Sequence, residues 1–301
     1  MINILITGGA GFIASNLADK LNKKYSVIIV DNLSTSKLAN LKNIDKKYFY
    51  KIDVNNFDSM SILFKKYKFD YVFHYAAIVG VKRTLSNPLL VLNDIQGFRN
   101  IFDLSCRYNV KRIFFSSSSE VYGEPVQMPQ NEDSTPLNSK LPYAVVKNIG
   151  EAFCRSYFEE KKLNYTIFRF FNTYGHRQST DFVISKFIHK AKNNKDIEIY
   201  GDGSQSRTFC YVDDNIDATI NAFEKNLYVN DTVNIGNNNI INMNNLAKKI
   251  IFITNSKSKI KFLKPLKEGD MTRRQPDISK MKKLLGRNLI TLNRGLKKII
   301  N

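Results

Sequence analysis

Cysteine and histidine are scarce in this chain of 301 residues, which contains three of each. Cys106, Cys154 and Cys210 are widely spaced, odd in number and without a Cys-x-x-Cys pair. This usage argues against a disulfide framework and a structural metal, and it favours a reduced, cytoplasmic setting. Because His74 and His189 also lack partners at the spacing of metal ligands, we expect no bound metal.

Long apolar runs are missing as well. No stretch approaches the roughly 20 apolar residues that a membrane-spanning helix needs. The first six residues lack a basic segment and lead straight into glycines, which is typical of a strand and not of a signal peptide. We therefore expect a soluble protein without a membrane partner, large enough for one α/β domain or one and a half.

Acidic side chains are outnumbered, 27 against 46 lysines and arginines, and the formal net charge is +19. A charge of this size also occurs in proteins that bind nucleic acids. Here the lysines occur in pairs scattered along the chain, such as Lys23-Lys24 and Lys161-Lys162, and they form no basic arm. We interpret them as a solvated surface that would favour an anionic substrate, and we expect no nucleic-acid partner.

The first 170 residues alternate short apolar runs with amphipathic stretches, as β-α-β units around a parallel sheet do. Strands are predicted at residues 2–7, 26–31, 48–52, 71–75, 112–117 and 165–170. Helices are predicted at residues 12–23, 58–67, 88–108 and 143–161. The expected fold is α/β, with a doubly wound parallel sheet of the Rossmann type that forms one domain over residues 1–170.

The regular alternation weakens after Phe171. A polar loop is predicted at residues 265–276, followed by helices at 277–285 and 292–300. We expect residues 171–301 to form a smaller C-terminal α/β region that binds the substrate at the carboxyl edge of the sheet, where open α/β sheets bind ligands.

A glycine-rich turn follows the first predicted strand and opens the first predicted helix. Gly8 permits the tight turn, and Gly11 lets backbone N–H groups approach a pyrophosphate at the positive end of the helix. Asp31 closes the second strand, 20 residues beyond Gly11, where a carboxylate would bind both ribose hydroxyls and repel a 2′-phosphate. The pattern predicts a dinucleotide site that prefers NAD to NADP.

Tyr143 and Lys147 lie four residues apart, so they share one face of a predicted helix. The charge of Lys147 would lower the pKa of the Tyr143 phenol, ordinarily about 10. Ser118 lies 25 residues before Tyr143 and would share the proton of a substrate alcohol. A pair this short also arises by chance. As a set, the three residues predict a site that deprotonates a carbinol while a nicotinamide takes the hydride.

Further motifs stand at residues 7–13, 31–34, 53–54, 74–77, 116–123, 169–175, 201–214 and 274–277. With them the chain resembles, over essentially its whole length, the extended short-chain dehydrogenase/reductase family. Within that family it is similar to the nucleotide-sugar epimerase/dehydratase branch. The resemblance implies an NAD-dependent enzyme whose substrate is a nucleoside-diphosphate sugar.

The resemblance also assigns residues to the two ligands. It implies that Asp53 and Val54 flank the adenine of NAD. The full set implied for the cofactor is Gly8, Gly11, Phe12, Ile13, Asp31, Asn32, Ser34, Asp53, Val54, Ala76, Ala77, Tyr143 and Lys147. Asn172 and Arg207 would bind the substrate, and Arg274 would bind its diphosphate.

The chemistry implied by the resemblance begins at the sugar C4 hydroxyl. Tyr143 would remove its proton while NAD takes the C4 hydride, and Ser118 would relay or steady that proton. The resulting 4-keto sugar can take hydride back on its other face, lose water from C5 and C6, or lose a C6 carboxylate as CO2.

Residues 118–123 bear on which of these branches is followed. The 4,6-dehydratases that the chain resembles carry Thr-Asp-Glu where this chain has Ser118, Ser119 and Glu120, so dehydration would lack its acid. UDP-glucuronate decarboxylases resemble the chain at Glu120, a catalytic candidate, whereas residues 142–147 are closer to 4-epimerases. We predict an NDP-sugar 4-epimerase. A UDP-glucuronate decarboxylase is the alternative, a 4,6-dehydratase is disfavoured, and an NAD-binding sensor without turnover is the non-enzyme alternative.

Two positions depart from the family pattern. Asp94 stands where the family usually has asparagine, three residues before Gly97, and a helix-capping role is favoured over an effect on neighbouring pKa values. His176 replaces a common proline and has no assigned role. The resemblance also implies a homodimer joined through the predicted helices 88–108 and 143–161.

Overall fold

The computed structural model describes residues 1–124, 126–265 and 274–301, apart from the side chains of Val81 and Lys82. The strands in this part of the chain are β1 (Asn3–Thr7), β2 (Ser26–Val30), β3 (Phe49–Tyr50), β4 (Tyr71–His74), β5 (Arg112–Ser118), β6 (Asn164–Phe170), β7 (Thr173–Tyr174), β8 (Ile197–Tyr200), β9 (Ser206–Thr208), β10 (Cys210–Tyr211), β11 (Asp231–Ile235), β12 (Ile240–Asn242) and β13 (Ile260–Leu263).

The helices are α1 (Phe12–Leu21), α2 (Phe57–Tyr67), α3 (Val81–Ser86), α4 (Pro88–Leu92), α5 (Asp94–Arg107), α6 (Pro142–Lys161), α7 (Val183–Lys192), α8 (Val212–Glu224), α9 (Met243–Ile253), α10 (Ser279–Leu285) and α11 (Leu292–Ile300). Short 3-10 helices lie at Leu38–Leu41, Lys46–Tyr48 and Ser119–Tyr122.

A seven-stranded sheet has the strand order β3-β2-β1-β4-β5-β6-β11, so six strands from the first 170 residues are joined at one edge by β11. The pairs β3-β2, β2-β1, β1-β4 and β4-β5 are parallel. The strand order reverses between β1 and β4, which is the topological switch point where such sheets bind their ligands. The predicted Rossmann-type α/β fold is therefore confirmed.

The strands of this sheet are apolar because helices cover both faces. Ile4, Leu5 and Ile6 of β1 are fully buried, and so is the middle of its neighbours. Aromatic rings fill much of the space between the layers. Phe73 and Phe114 stack with their ring centroids 4.4 Å apart, and Phe223 meets both rings edge-on.

The strands and helices predicted for residues 1–170 are present in the structure, with ends that differ by one or two residues and with one exception. The single helix predicted over 88–108 is wrong, because it divides at Asn93 into α4 and α5. Asn93 donates to Leu90 O at 3.3 Å and accepts from Gln96 N at 3.2 Å, so the turn tightens locally to a three-residue step. Hydrophobic periodicity continues across such a turn and did not reveal it.

The chain divides into two compact units. The first comprises Met1–Val121, Ser139–Arg169 and Thr219–Val233, and the second comprises Tyr122–Asn138, Phe170–Ala218 and Asn234–Asn301. The functional division at residue 170 that the sequence suggested stays a prediction. The predicted helix 277–285 begins at Ser279, whose N–H binds the carboxylate of Asp277 at 2.8 Å. Most of the predicted loop 265–276 lies outside the described residues.

The second unit contains small pieces of sheet: β10 pairs with β7, β12 with β9, and β13 with β8. Its helices α7 and α9 bury apolar side chains, among them Phe187, Leu246 and Ile250. Within the described ranges, no helix is both long and apolar enough to cross a membrane. Nor do three or more His, Cys, Asp or Glu side chains of those ranges group as metal ligands do.

Candidate active site

The glycine turn lies between the carboxyl ends of β1 and β4. Gly8 has φ +64°, and a Cβ added to it would meet the backbone of Ala76 at 2.7 Å, so no other residue fits there. Gly11 precedes α1 and donates its N–H to Gly8 O at 2.9 Å. The N–H groups of Phe12 and Ile13 in the first turn have no partner inside the helix. They are the groups that can receive a phosphate at this positive helix end.

Asp31 follows β2 and is held beside the glycine turn. One carboxylate oxygen accepts from Ala10 N at 3.0 Å, and the other accepts from Leu33 N and Ser36 Oγ, both at 2.7 Å. These bonds fix the carboxylate and draw the turn toward β2. A carboxylate has about four lone-pair sites, so the group retains acceptor capacity for a ribose.

The loops after β2 and β3 are also tied together. Asn32 donates to Asp53 Oδ2 at 2.9 Å and accepts from Ser34 N at 3.0 Å. Val54 O accepts from Asn100 Nδ2 at 2.9 Å, and a Cβ on Gly97 would meet Val54 Cγ2 at 2.8 Å. The structure thus gathers the residues expected around the adenine and ribose at one edge of the sheet.

Thr7 and His74 form a buried polar pair that the sequence did not reveal. Thr7 Oγ1 accepts from the N–H groups of Tyr75 and Ala76, each at 3.2 Å, so its proton is available to His74 Nδ1 at 2.7 Å. Burial, and then the charge of Lys147, lower the pKa of His74 to about 3, so the ring is neutral. The pair fixes the backbone at Ala76. The sequence feature that could have indicated this pair is that Thr7 and His74 are polar residues at the ends of two apolar strands, β1 and β4, where they stand opposite each other.

Lys147 lies on α6 and is 2% exposed. Its Nζ donates to Ser116 O at 2.6 Å and to Ser116 Oγ at 3.3 Å, and it stands 5.1 Å from the centre of the Phe115 ring. Burial lowers the pKa of Lys147 to about 8, and the charge of Asp94 opposes this shift. Tyr143 is half-buried one turn earlier on the same helix.

Ser118 ends β5 and is 8% exposed. Its Oγ accepts from Glu120 N at 3.2 Å, which leaves the hydroxyl proton for another acceptor. Glu120 is half-buried and Ser119 is buried. The bond between Lys147 and Ser116 ties α6 to β5 two residues before Ser118, and so brings the predicted serine, tyrosine and lysine into one region.

Glu151 is a second buried anchor of α6, and sequence reasoning missed it. Its carboxylate accepts from Ser117 Oγ at 2.6 Å and from Arg169 at 2.9 and 2.8 Å. Burial opposes ionisation, yet the bonds from Arg169 and Ser117 outweigh it and hold the pKa of Glu151 below its ordinary value. Glu151 follows Lys147 by one turn of α6. Its bonds to Ser117 on β5 and to Arg169 on β6 therefore fix the position of the helix along these two strands.

Asp94 begins α5 and accepts from Ile78 N at 2.9 Å. Burial raises the pKa of its carboxyl, and the charges of Lys147 and Asp94 act on each other. The structural role that the sequence favoured for Asp94 stays a prediction.

The residues expected to bind the substrate belong to the second unit. Asn172 donates to Thr208 O at 3.2 Å, which places it beside Arg207 on β9. Arg207 and Arg274 are both largely buried. Gln275, next to Arg274, accepts from Gln130 N at 2.8 Å. His176 is exposed in the loop after β7.

A parallel sheet that reverses its order beside β1, with a glycine turn and an aspartate at that point, defines a Rossmann-type dinucleotide-binding protein. Residues 4–236 match the model of the NAD dependent epimerase/dehydratase family. The chain therefore belongs to that family of enzymes, and its cofactor is NAD. The cradle at Gly8 and the fixed carboxylate of Asp31 fit this cofactor.

Individual relatives cover nearly the whole chain. The UDP-glucuronate 4-epimerase of Thermodesulfobacterium geofontis is 32% identical and aligns with 99% of this chain and 94% of its own. The UDP-glucuronic acid decarboxylase 1 of Danio rerio is 34% identical over 99% of this chain and 71% of its own. The crystal structure of UDP-glucose 4-epimerase with UDP-glucose from Thermotoga maritima superimposes with a TM-score of 0.94, at 33% identity and over 99% and 97% of the two chains.

Proposed function

We propose that this NAD-dependent nucleotide-sugar enzyme is a UDP-sugar 4-epimerase. It oxidises the C4 hydroxyl to a 4-keto sugar and then reduces the ketone on its opposite face. The observation that carries the proposal is the buried ammonium of Lys147, which Ser116 holds one helical turn from Tyr143. The names of the relatives support the nucleotide sugar and the position of the chemistry.

Each catalytic side chain has one task in this proposal. Tyr143, as phenolate, takes the proton of the C4 hydroxyl, because the ammonium of Lys147 favours the charged form of the phenol. Ser118, whose oxygen is oriented by the N–H of Glu120, donates its proton toward the sugar O4. When bound, NAD supplies the acceptor and donor of the C4 hydride.

Cofactor and substrate are bound by different groups. The backbone at Gly8, Gly11, Phe12 and Ile13 receives the pyrophosphate of NAD, and Asp31 receives a ribose. The substrate diphosphate is bound by Arg207 and Arg274, since guanidinium groups form paired hydrogen bonds with phosphate oxygens. Asn172 contacts the sugar or the nucleotide beside Arg207.

A UDP-glucuronate decarboxylase is the second candidate. It is favoured by residues 118–123, which read Ser-Ser-Glu-Val-Tyr-Gly, and by the decarboxylase among the relatives. Buried Ser119 stands where a 4,6-dehydratase would carry its acid, and this argues against water loss. An NAD-binding sensor would need no catalytic pair, which argues against that role.

The product of turnover decides between these candidates. We would incubate the protein with UDP-glucose, UDP-N-acetylglucosamine, UDP-glucuronate and their GDP and dTDP counterparts, and identify the products by NMR. We expect a 4-epimer of a UDP-sugar without CO2. A pentose with CO2 would instead assign a decarboxylase, and a 4-keto-6-deoxy sugar a dehydratase. Inactivity across the panel with NAD bound would assign a sensor.

We further propose a cytoplasmic homodimer. Leu89 on α4 is 77% exposed, Leu92 is 44% exposed, and Val145 on α6 is 40% exposed, in the two regions expected at the interface. Exposed apolar side chains on both of these helices support contact with a second copy of the chain. Cys106, Cys154 and Cys210 are free thiols, in keeping with a reducing compartment.

A further inference from the structure

The chain turns directly after Ser118, the predicted proton relay. Ser118 ends β5, and the 3-10 helix Ser119–Tyr122 follows with no residue between them. Ser118 Oγ accepts from Glu120 N at 3.2 Å, so its hydroxyl is tied to this short helix. A single 3-10 turn is weak by itself, because its hydrogen bonds are poorly aligned. The position of the hydroxyl therefore depends on what holds the 3-10 helix from outside.

Tyr122 anchors the far end of this helix and is fully buried. Its hydroxyl donates to Asn234 Oδ1 at 2.8 Å, although the two residues lie 112 positions apart in the chain. Its ring centroid lies 6.1 Å from that of Phe171, the residue before the predicted substrate ligand Asn172. Breaking a buried hydrogen bond of this kind leaves an acceptor without its donor, which is costly. The bond therefore fixes the end of the helix.

Asn234 lies on β11, is fully buried, and uses both ends of its side chain. Its Oδ1 accepts from Tyr122, while its Nδ2 donates to Gln130 O at 2.9 Å and to Asp277 O at 3.3 Å. Its backbone N–H donates to Glu132 Oε1 at 2.8 Å. The amide thus connects three segments of the second unit that are far apart in sequence.

The segment that ends at Asp277 also carries Arg274, the predicted ligand of the substrate diphosphate. Gln130 N donates to Gln275 O, and Asp277 N donates to Gln130 O, both at 2.8 Å. These bonds hold Gln130 against the backbone that follows Arg274. A single network of hydrogen bonds therefore runs from the turn after the predicted catalytic serine, through Asn234, to the chain beside the predicted diphosphate ligand.

We propose that Tyr122 is a positioning residue: held by Asn234, it keeps the Ser118 hydroxyl in place for the C4 hydroxyl of the bound sugar. The proposal rests on the proposed function, in which Ser118 donates its proton toward the sugar O4. Its physical basis is that a displacement of about 1 Å at a reacting group can cost on the order of 10²-fold in rate. Without the Tyr122 hydroxyl, Asn234 Nδ2 would still have its two acceptors beside Arg274. Loss of the hydroxyl should therefore slow turnover without weakening nucleotide binding.

The test is Tyr122→Phe, with Tyr174→Phe as the matched control. Both substitutions remove one hydroxyl from a buried tyrosine of the second unit, and the Tyr174 hydroxyl donates to Leu292 O at 3.4 Å. We expect kcat with the UDP-sugar to fall about tenfold in Tyr122→Phe and less than about twofold in Tyr174→Phe. The Kd of UDP, measured by titration calorimetry, should stay within about twofold of wild type in both variants.

A second background separates positioning from a general loss of structure. Tyr122→Phe is combined with Ser118→Ala, which removes the hydroxyl that Tyr122 is proposed to position. Adding Tyr122→Phe to Ser118→Ala should change kcat less than about twofold, because the effects of residues that act as a unit are not additive. The same loss in both backgrounds would make Tyr122 a structural residue only and overturn the proposal. An unchanged kcat in Tyr122→Phe would also overturn it.

Hydrogen exchange provides a readout that needs no turnover. The amides of Glu120 to Tyr122 should exchange about fivefold faster in Tyr122→Phe than in wild type, and at the wild-type rate in Tyr174→Phe, since loss of the anchoring bond eases local opening. Equal exchange in all three proteins would overturn the proposal. Wild-type protein without turnover overturns the proposed function, whereas hydrogen exchange still decides whether Tyr122 holds the turn after Ser118.

Discussion

At the scale of single residues, Tyr143 is the group on which the chemistry depends. Tyr143→Phe removes the phenolic oxygen and leaves the ring, so we expect kcat to fall about 10²- to 10⁴-fold, the usual contribution of a general base. Tyr157→Phe, on the same helix, removes a hydroxyl that donates to Asp103 at 2.6 Å and should leave kcat unchanged. Steady-state kinetics with one UDP-sugar measures both. Turnover of Tyr143→Phe within tenfold of wild type would exclude Tyr143 as the base.

Glu151 and Arg169 give a residue-scale prediction about stability. Both side chains are buried, so Arg169→Met leaves the Glu151 carboxylate buried without the positive charge and the hydrogen bonds of Arg169. We expect the free energy of unfolding to fall by about 3 kcal/mol, as for other broken buried pairs. Arg155 binds the same carboxylate at 3.0 Å from the surface, and Arg155→Met should cost less than about 1 kcal/mol. Urea unfolding of the two variants checks this order, and equal losses would contradict it.

The sequence predicted those site residues whose chemistry follows from local spacing. The glycine turn, Asp31 and the pair of Tyr143 with Lys147 are of this kind. Thr7 with His74, and Glu151 with Arg169, escaped because each pair joins elements far apart in sequence. Only the strand register and the helix packing bring these partners within hydrogen-bond distance.

At the scale of elements, Gly150 sets how closely α6 approaches β5. A Cβ at residue 150 would collide with the ring of Phe115, the ring beside Lys147. Gly150→Ala usually favours a helix, but here we expect a loss of about 1–3 kcal/mol in stability from overpacking, together with a lower kcat. Asn148→Ala, at an exposed position of the same helix, is the control and should be neutral. Stabilisation by Gly150→Ala would show that this contact is not tight.

The division of the predicted helix 88–108 is the clearest limit of prediction at this scale. The periodicity of apolar residues indicates which side chains face the core, and that buried face continues from Val91 to Phe98. It does not reveal the tight turn at Asn93, because that turn is defined by backbone hydrogen bonds between residues three apart. That turn is also what places Asp94 at a helix start.

At the scale of the whole molecule, the exposed leucines of α4 predict a dimer. The double variant Leu89→Glu/Leu92→Glu puts charges into the proposed contact, so we expect a monomer where wild type is a dimer. Phe252→Glu makes the same kind of change at a side chain that is 86% exposed in the second unit, and it should stay dimeric. Light scattering of the three proteins gives the masses. A monomeric wild type, or a dimeric double variant, would contradict the interface.

The fold class was predictable at this scale because alternating apolar runs and amphipathic stretches repeat along residues 1–170. Substrate preference was not, because Asn172, Arg207 and Arg274 are placed by loops and short strands whose pairing has no regular period. Arg207, for example, owes its position to the antiparallel pairing of β9 with β12.

The most direct test of the account follows the hydrogen at C4. The UDP-hexose that the protein turns over is prepared with deuterium at C4 and incubated in ordinary water without added NAD, and the product is analysed by NMR and mass spectrometry. We expect a 4-epimer that keeps its deuterium at C4, since the hydride that leaves this carbon returns to it on the other face. An epimer that has exchanged the deuterium for solvent hydrogen, or a pentose with CO2, would contradict it.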